Sequence, residues 1–265
     1  DQYTHFVHGL WKYFHSPLVD ETTKAEIRSI LAAVAERMIR FVTPENDYDF
    51  CRADGQRCPL GICRMWNVQA HEAARLPMIY AAAWDVTGDE RFRQMWRKYV
   101  ADAVTQSANP VENKPAYALL QMQCSLELLY QLEPERDLKD AISATMNHVS
   151  SLGERRLAST TKSIAKKSPE EMRMLGPDWR KVKEWKDQKG YMNPQWGPYR
   201  EVWHLTREAG ESALIPLMVH EPSITAEQKQ LLRDMILQTD YEHNSSCGII
   251  YHLAAYWKAR RHNSL

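Results

Sequence analysis

The sequence predicts an all-α protein whose helices form an α/α toroid, a six-hairpin-like barrel. Three observations support this prediction. Apolar residues recur at spacings of three and four along most of the 265 residues. Helices that are apolar on one side alternate with helices that are apolar on nearly all sides. Only 10 residues are glycine, which disfavours the many tight turns of a β-protein.

The one-sided helices are predicted from their apolar stripes and from residues that can cap their first turns. One stripe runs through AEIRSILAAVAERMIRF, after the capping candidates Asp20 and Thr22–Thr23. A second runs through ERFRQMWRKYVADAV. A third, TAEQKQLLRDMILQ, begins with a capping box at Thr225. The first stripe comprises Ile27, Ile30, Leu31, Val34, Met38 and Phe41. These helices are expected to keep one face in water.

The second type of helix is predicted to be buried. Its members are HEAARLPMIYAAAWDV, PAYALLQMQCSLELLYQL, GESALIPLMVH and CGIIYHLAAYWKAR. Pro77 and Pro216 lie inside two of them, so each predicts a kink or a late helix start, because proline lacks the amide hydrogen that a helix interior needs.

The two types alternate along the chain as inner and outer helices, joined by short turns rich in Asp, Pro, Gly and Thr. We therefore predict one toroid domain over residues 1–265. The chain opens directly into a helical pattern, DQYTHFVHGLWKYF. We accordingly expect further helices to precede residue 1 in the complete toroid.

Two stretches interrupt the helical pattern. Residues 43–65 form a predicted loop, and residues 153–198 form a longer insertion that contains several tryptophans. Between Gly153 and Lys189 there are 11 basic and 6 acidic residues, a local net charge of +5. Long loops of this kind often act as lids or binding arms. We expect the insertion to cover a pocket and to offer Lys and Arg to a substrate anion; a solvated surface arm is the alternative.

Composition and missing motifs exclude several functions. The formal net charge is +0, whereas nucleic-acid binders are usually basic. No run of about 18 apolar residues suggests a membrane span. GxSxG, Walker and GxGxxG motifs are missing from the sequence, which disfavours serine-hydrolase chemistry and nucleotide cofactors. Since there is no HExxH run either, we expect neither a cofactor nor a catalytic metal.

Three of the 5 cysteines, Cys51, Cys58 and Cys63, cluster in CRADGQRCPLGIC. The cluster is compatible with free thiols, with one disulfide and a spare thiol, or with a metal site completed by another side chain. Cys124 and Cys247 lie inside apolar helical patterns.

Polar residues are concentrated where the buried helices begin. In a toroid the inner helices run the same way, so these starts converge on one end, and polar groups inside apolar helices are costly unless they are satisfied. The 9 tryptophans and 12 tyrosines suit sugar rings, although they also fill helix seams. The candidate substrate-binding residues are Gln2, His5, Trp66, Asn67, Arg75, Trp196, Tyr199, Arg200, Arg207 and Glu208.

Helical spacing relates some of these candidates to each other. Glu72 and Arg75 are three residues apart and can form an ion pair that merely orients the helix. His204 and Glu208 are four apart and can form a His–carboxylate pair suited to acid/base chemistry. His71 lies one turn before Arg75. We select Glu72 as a candidate catalytic carboxylate, with His71 and His204 in support.

The segments DQYTHFVHGLWKYF and WNVQAHEAARLPMIYAAAWDVTGDERF resemble the helix pairs of carbohydrate-active toroids, in particular the unsaturated glucuronyl and rhamnogalacturonyl hydrolases of polysaccharide-degrading bacteria. The resemblance implies a glycoside hydrolase that acts on an acidic oligosaccharide in the periplasm or outside the cell. It also implies that Asp1, at an inner-helix start, is a general acid/base. A polysaccharide lyase of the same fold, or a helical carbohydrate- or protein-binding scaffold, is the alternative.

Overall fold

The computed structural model describes residues 2–51, 54–56, 64–110, 112–172, 197–222, 225–238 and 247–262. The regular elements of these residues are helices, with no β-strand among them, which confirms the all-α prediction. None of the helices found there is long and apolar enough to cross a membrane.

Eleven α-helices lie in the described residues. They are α1 (Gln2–Phe14), α2 (Glu21–Phe41), α3 (Ala70–Ala73), α4 (Arg75–Thr87), α5 (Glu90–Ser107), α6 (Ala116–Leu132), α7 (Arg136–Ile164), α8 (Pro169–Met172), α9 (Gly197–Leu214), α10 (Ala226–Gln238) and α11 (Cys247–Arg261). Short 3₁₀ turns occur at Pro44–Asn46 and Ile215–Met218.

The chain divides into two compact units. Unit 1 comprises the described parts of residues 1–114, 118–149 and 218–220, and unit 2 comprises those of 115–117, 150–217 and 221–265. Each unit has its own packed helices. The single toroid domain over residues 1–265 stays a prediction.

Helix α2 begins where the sequence predicts. The side chain of Asp20 accepts hydrogen bonds from the amide of Thr23 at 2.9 Å and from its hydroxyl at 2.8 Å, so it satisfies an amide that the first turn leaves open. The buried face of α2 carries Ile27, Leu31, Ala35 and Met38. Ile30, which we predicted in the buried stripe, is 39% exposed, because it lies on an open apolar groove between α1 and α2.

Both prolines act on helix boundaries. The helix is interrupted at Ala74, between α3 and α4. Pro77 therefore lies in the first turn of α4, where the amide hydrogen that proline lacks would have no partner within the helix. This is the late start that the sequence predicts. Pro216 lies in the 3₁₀ turn that follows α9, and the predicted helix through GESALIPLMVH therefore ends at Leu214.

Helix α4 is the centre of unit 1. Its residues from Arg75 to Ala83 are all buried, as predicted for a helix that is apolar on nearly all sides. It packs against α1, α2 and α5. The ring centroids of Trp84 and Trp96 lie 5.2 Å apart, and those of Tyr80 and Tyr99 lie 6.4 Å apart. The later residue of α4, Trp84, therefore meets the earlier residue of α5, Trp96, so the two helices are antiparallel.

Helices α1 and α4 end at the same end of unit 1. Arg28, near the start of α2, lies over the ring of Phe14 at 5.1 Å and donates to the carbonyl of Val86 at 3.1 Å. At the other end of the α1–α2 pair, Tyr3 and Arg37 line the same groove. Helix α2 is therefore antiparallel to α1, and the last turns of α1 and α4 meet its first turns.

Helix α6 runs in the same direction as α1. The side chain of His5 contacts Cys124, and Lys12, two turns further along α1, contacts Glu127, which lies further along α6. Three helices, α1, α4 and α6, are consequently parallel, and α2 and α5 run antiparallel to them.

Unit 2 is built around α9, which packs against α8, α10 and α11. The approach of α11 is close at Gly210, because a Cβ atom there would lie 2.4 Å from Cδ2 of His252. The Nε2 atom of His252 donates to the carbonyl of Thr206 at 2.7 Å, and burial lowers the pKa of this histidine. The neutral imidazole is thereby locked against α9.

The predicted insertion at 153–198 is wrong at its start. Helix α7 continues through Gly153 to Ile164, and Leu157 and Ile164 are buried on the same face as Val149. Residues 173–196 lie outside the described residues. The proposed lid therefore stays a prediction for that part of the chain.

We expect Gly210→Ala to destabilise unit 2 by ~1–3 kcal/mol, because the added methyl group must displace His252 from a packed seam. Gly9→Ala is the control. A Cβ atom at Gly9 meets nothing within 4 Å, so alanine in α1 should stabilise by roughly 0.5–1 kcal/mol. Urea denaturation followed by circular dichroism measures both. Equal midpoint shifts in the two variants would contradict the close approach at Gly210.

Candidate functional site

A cluster of polar residues in unit 1 lies where α3 and α4 begin and reaches Gln121 on α6. The turn that leads into α3 supplies Gln69, whose amide donates to Oε2 of Glu72 at 3.3 Å. The carboxylate of Glu72 therefore covers the open first turn of its own short helix. Its side chain is buried. This local hydrogen bond by itself fixes the position of the Glu72 carboxylate.

Arg75 neutralises that carboxylate. It is 4% exposed, the first residue of α4, and its Nη1 lies 3.2 Å from Oε1 of Glu72. Its Nη2 donates to Oε1 of Gln121 on α6 at 2.6 Å. A buried guanidinium is tolerated only when it is both paired and hydrogen-bonded. These two partners meet that requirement and connect α3, α4 and α6.

His71 stands beside this pair and is half-buried. Burial lowers its pKa to about 4, and the positive charges of Arg75 and Lys114 act in the same direction against the attraction of Glu72. The imidazole is therefore neutral at pH 7. The ammonium group of Lys114 also donates to the side-chain carbonyl of Gln69. A neutral base and an ammonium group thus share one end of unit 1.

The other predicted residues of unit 1 lie nearby in the chain. Trp66 is half-buried, and its ring meets that of Tyr48 edge-on at 6.3 Å. Asn67 is exposed and has a φ angle of 56°, in the left-handed region that asparagine tolerates better than most residues. Both residues belong to the turn before α3. His5 lies on α1, against Cys124 rather than against Glu72.

The remaining described candidates belong to unit 2. Glu208 forms an ion pair with Arg156 at 2.7 Å, and Arg207 donates to Glu211 at 2.8 Å. The ring of His204 packs edge-on against Trp203 at 4.8 Å. The predicted His204–Glu208 pair stays a prediction.

Several candidates fall outside the described residues. These are Asp1 and Trp196, together with the side chains of Gln2, Tyr199 and Arg200. Their predicted roles stay predictions. Cys58 and Cys63 also lie outside, whereas Cys51 is a buried free thiol, in agreement with the free-thiol interpretation for that residue.

A second polar cluster lies between α1 and α6, and His5 is its one member among the candidates named from the sequence. Nε2 of His8 lies 2.7 Å from Oε2 of Glu127, and Nζ of Lys12 donates to Oε1 of the same carboxylate at 3.0 Å. His5 and His8 both hydrogen-bond the thiol of Cys124. Cys124 is a free cysteine, 5% exposed.

The charges in this cluster favour an ion pair. Burial alone would raise the pKa of the Cys124 thiol, but the charge of His8 and the hydrogen bonds from His5 and His8 lower it to about 6. Burial acts against protonation of His8, but Cys124 and Glu127 raise its pKa to about 9. The cluster thus holds a thiolate beside an imidazolium at neutral pH.

The sequence contained a signal for this cluster. His5, His8 and Lys12 are spaced by three and four residues, so they share one face of α1. Gln121, Cys124 and Glu127 recur every three residues on α6. Cys124 and Glu127 stand in an otherwise apolar pattern, which obscures this second triplet. Two polar stripes of matching length are typical of facing helices.

Among the residues that the structure describes, no three His, Cys, Asp or Glu side chains are arranged to hold a metal ion. Comparisons with family models, with curated proteins and with solved structures found no match. The site must therefore be interpreted from its own geometry.

We expect Glu72→Gln to lower the free energy of unfolding by ~3 kcal/mol or more, because it leaves the buried charge of Arg75 unpaired. Urea denaturation of both proteins provides the measurement. Glu90→Gln is the matched control, since Glu90 pairs with Arg93 at the same spacing and at 3.1 Å, but on the surface.

The control should cost less than ~1 kcal/mol, because exposed ion pairs contribute little. Equal effects of the two substitutions would show that burial of the Glu72–Arg75 pair does not set its contribution.

Proposed function

We propose that this chain is an α/α-toroid enzyme that processes an acidic oligosaccharide at the end of unit 1 where α4 and α6 begin. The observation that carries the proposal is the cluster of His71, Glu72, Arg75, Lys114 and Gln121. Residues from two predicted inner-helix starts come together there. A pit at the converging ends of inner helices is where a toroid binds its ligand.

The arrangement of unit 1 supports the toroid. Three parallel inner helices, α1, α4 and α6, alternate along the chain with the outer helices α2 and α5. Each described inner–outer pair is antiparallel, as the contacts of Arg28 and of the Trp84–Trp96 pair indicate. This is the order that the alternation of buried and one-sided helices predicts.

The charges favour an acidic ligand. Arg75 is buried and hydrogen-bonds Glu72 and Gln121. Lys114 is less buried, and its ammonium group donates to the side chain of Gln69 in the same cluster. An ammonium group at this position attracts a carboxylate or a sulfate group. The ring of Trp66, in the turn before α3, offers an apolar face against which the C–H groups of a sugar can pack.

The neutral form of His71 supports β-elimination as the reaction. A base must remove the proton from the carbon next to a uronate carboxylate, while a cation stabilises the negative charge that develops there. His71 would supply the base and Lys114 the cation. The leaving sugar oxygen departs as the double bond forms.

Hydrolysis, the reaction that the family resemblance implies, needs two carboxyl groups at the scissile bond. Glu72 is one candidate, but its oxygens already accept from Arg75 and from the amide of Gln69. Its partner would be Asp1, whose role stays a proposal. We retain hydrolysis as the second candidate on the strength of the carboxylate at the centre of the cluster.

The proposal is tested by incubating the protein with uronate-containing oligosaccharides and with neutral oligosaccharides of equal length. New reducing ends with ultraviolet absorbance of an unsaturated uronate indicate elimination. New reducing ends without that absorbance indicate hydrolysis. Binding without turnover would support the scaffold alternative. Neither binding nor turnover of acidic glycans would contradict the proposed function.

We expect His71→Gln to lower kcat by roughly 10²–10⁴-fold, the usual contribution of a general base. The control is His15→Gln, because His15 is an exposed imidazole paired with Asp85 at the other end of α1. The reaction of elimination also predicts a pH profile. A base works unprotonated, and the pKa of His71 lies at about 4 rather than 6.5.

The acidic limb of kcat/KM should therefore fall near pH 4. A limb near pH 6.5, or an unchanged kcat in the His71 variant, would show that another group is the base.

A further inference from the structure

Cys124 is surrounded by groups that activate a thiol. It lies on the inner helix α6, and α1 presents both His5 and His8 to it. Glu127, one turn further along α6, holds the ring of His8 at 2.7 Å, and Lys12 completes the charge balance at 3.0 Å. The cluster contains a nucleophile, a proton donor and a carboxylate that orients the donor.

We propose that Cys124 is an oxidation site for hydroperoxides, in which His8 donates the proton that the leaving oxygen needs. This inference does not depend on the proposed function, because His71, Glu72, Arg75, Lys114 and Gln121 take no part in it.

The reaction balances within the cluster. The Cys124 thiolate attacks one oxygen of the hydroperoxide, so an S–O bond forms as the O–O bond breaks. The sulfur loses two electrons, and the peroxide gains them. The leaving hydroxide or alkoxide takes the proton of the His8 imidazolium and departs as water or an alcohol. Cys124 becomes a sulfenic acid and His8 becomes neutral.

Access decides in favour of a small oxidant. Only 5% of Cys124 is exposed, and its surroundings are polar. Hydrogen peroxide is small and polar, and it can accept a proton from His8 as it reacts, whereas a bulky electrophile would have to separate α1 from α6. His5 also contacts the thiol and is less buried than Cys124.

The stability of the protein will not reveal the ion pair. A raised pKa of His8 stabilises the folded state below pH 6.5, and this contribution is lost as the pH rises to about 9. The lowered pKa of Cys124 stabilises it at pH 9.0 and above, and this contribution is lost as the pH falls to about 6. Between pH 6.5 and 9 the two contributions to the pH dependence of the unfolding free energy cancel. In this range the folded and the unfolded states each bind one proton on the two groups, His8 and Cys124. The thiol must be probed directly.

The experiment exposes the full chain to hydrogen peroxide over a range of pH. Catalase stops the reaction, and the protein is then unfolded and its remaining thiols are alkylated. Mass spectrometry of peptides gives the rate at which each cysteine is lost. Alkylation is needed as the readout because Met122 lies on the same tryptic peptide as Cys124 and also gains oxygen.

At pH 6 roughly half of a thiol with a pKa of about 6 is thiolate, against on the order of one in 300 at the ordinary cysteine pKa of about 8.5. Part of this advantage is lost because a thiolate of lower pKa is less nucleophilic. We therefore expect Cys124 to be oxidised about tenfold faster in the native protein than in His8→Gln at pH 6. The pH profile should have its midpoint near 6.

The controls separate this effect from access alone. His15→Gln removes another histidine that is paired with a carboxylate, one residue beyond the end of α1, and it should leave the rate unchanged. Glu127→Gln keeps a hydrogen-bond acceptor beside His8 but removes the charge, so an intermediate rate is expected. Cys51 serves as a buried thiol in the same molecule.

Three results would overturn the proposal. Cys124 is oxidised no faster than Cys51, or His8→Gln has no effect at pH 6, or the profile has its midpoint near the ordinary cysteine value. Circular dichroism establishes that the variants fold. The pH profile of the unmodified chain decides the question even if the His8 variant does not fold.

Discussion

The buried charge of Arg75 is the constraint on which the polar end of unit 1 depends. A guanidinium at the first residue of an otherwise apolar helix must be neutralised and hydrogen-bonded, or α4 cannot be buried there. Glu72 neutralises it from the turn before, and Gln121 reaches it from α6. Helices α3, α4 and α6 are therefore fixed relative to each other by one side chain, and His71 and Lys114 acquire their positions as a result.

The same principle applies where α1 meets α4 and α6. Glu127 on α6 receives His8 and Lys12 from α1, and Asp85 on α4 receives Trp11 at 2.8 Å and His15. Each carboxylate lies on one helix, and its partners lie on α1 or directly after it. Apolar contacts press these helices together without direction, whereas the polar contacts allow only one register. The thiol of Cys124 is enclosed within this polar seam.

The sequence predicted what is local and missed what is not. The all-α class, the cap at Asp20 and the late start at Pro77 follow from spacings of a few residues. Glu72 and Arg75 were recognised because charged residues stood out in an apolar helix. The pairing of His8 with Glu127 joins residues 119 positions apart, and no local pattern encodes such a contact. Helix α7 was ended too early because its basic and hydroxyl residues hid a continuing apolar face.

The shared hydrogen bonds of Glu72, Arg75 and Gln121 also restrict how these positions can change over evolutionary time. Loss of one member strands a charge or an amide in the interior, whereas replacement of all three by well-packed apolar residues is often neutral or even favourable. Single steps between the two solutions pass through an unstable intermediate. Substitutions at these three positions should therefore occur together, and a protein that has the charged triplet should rarely exchange it for the apolar one.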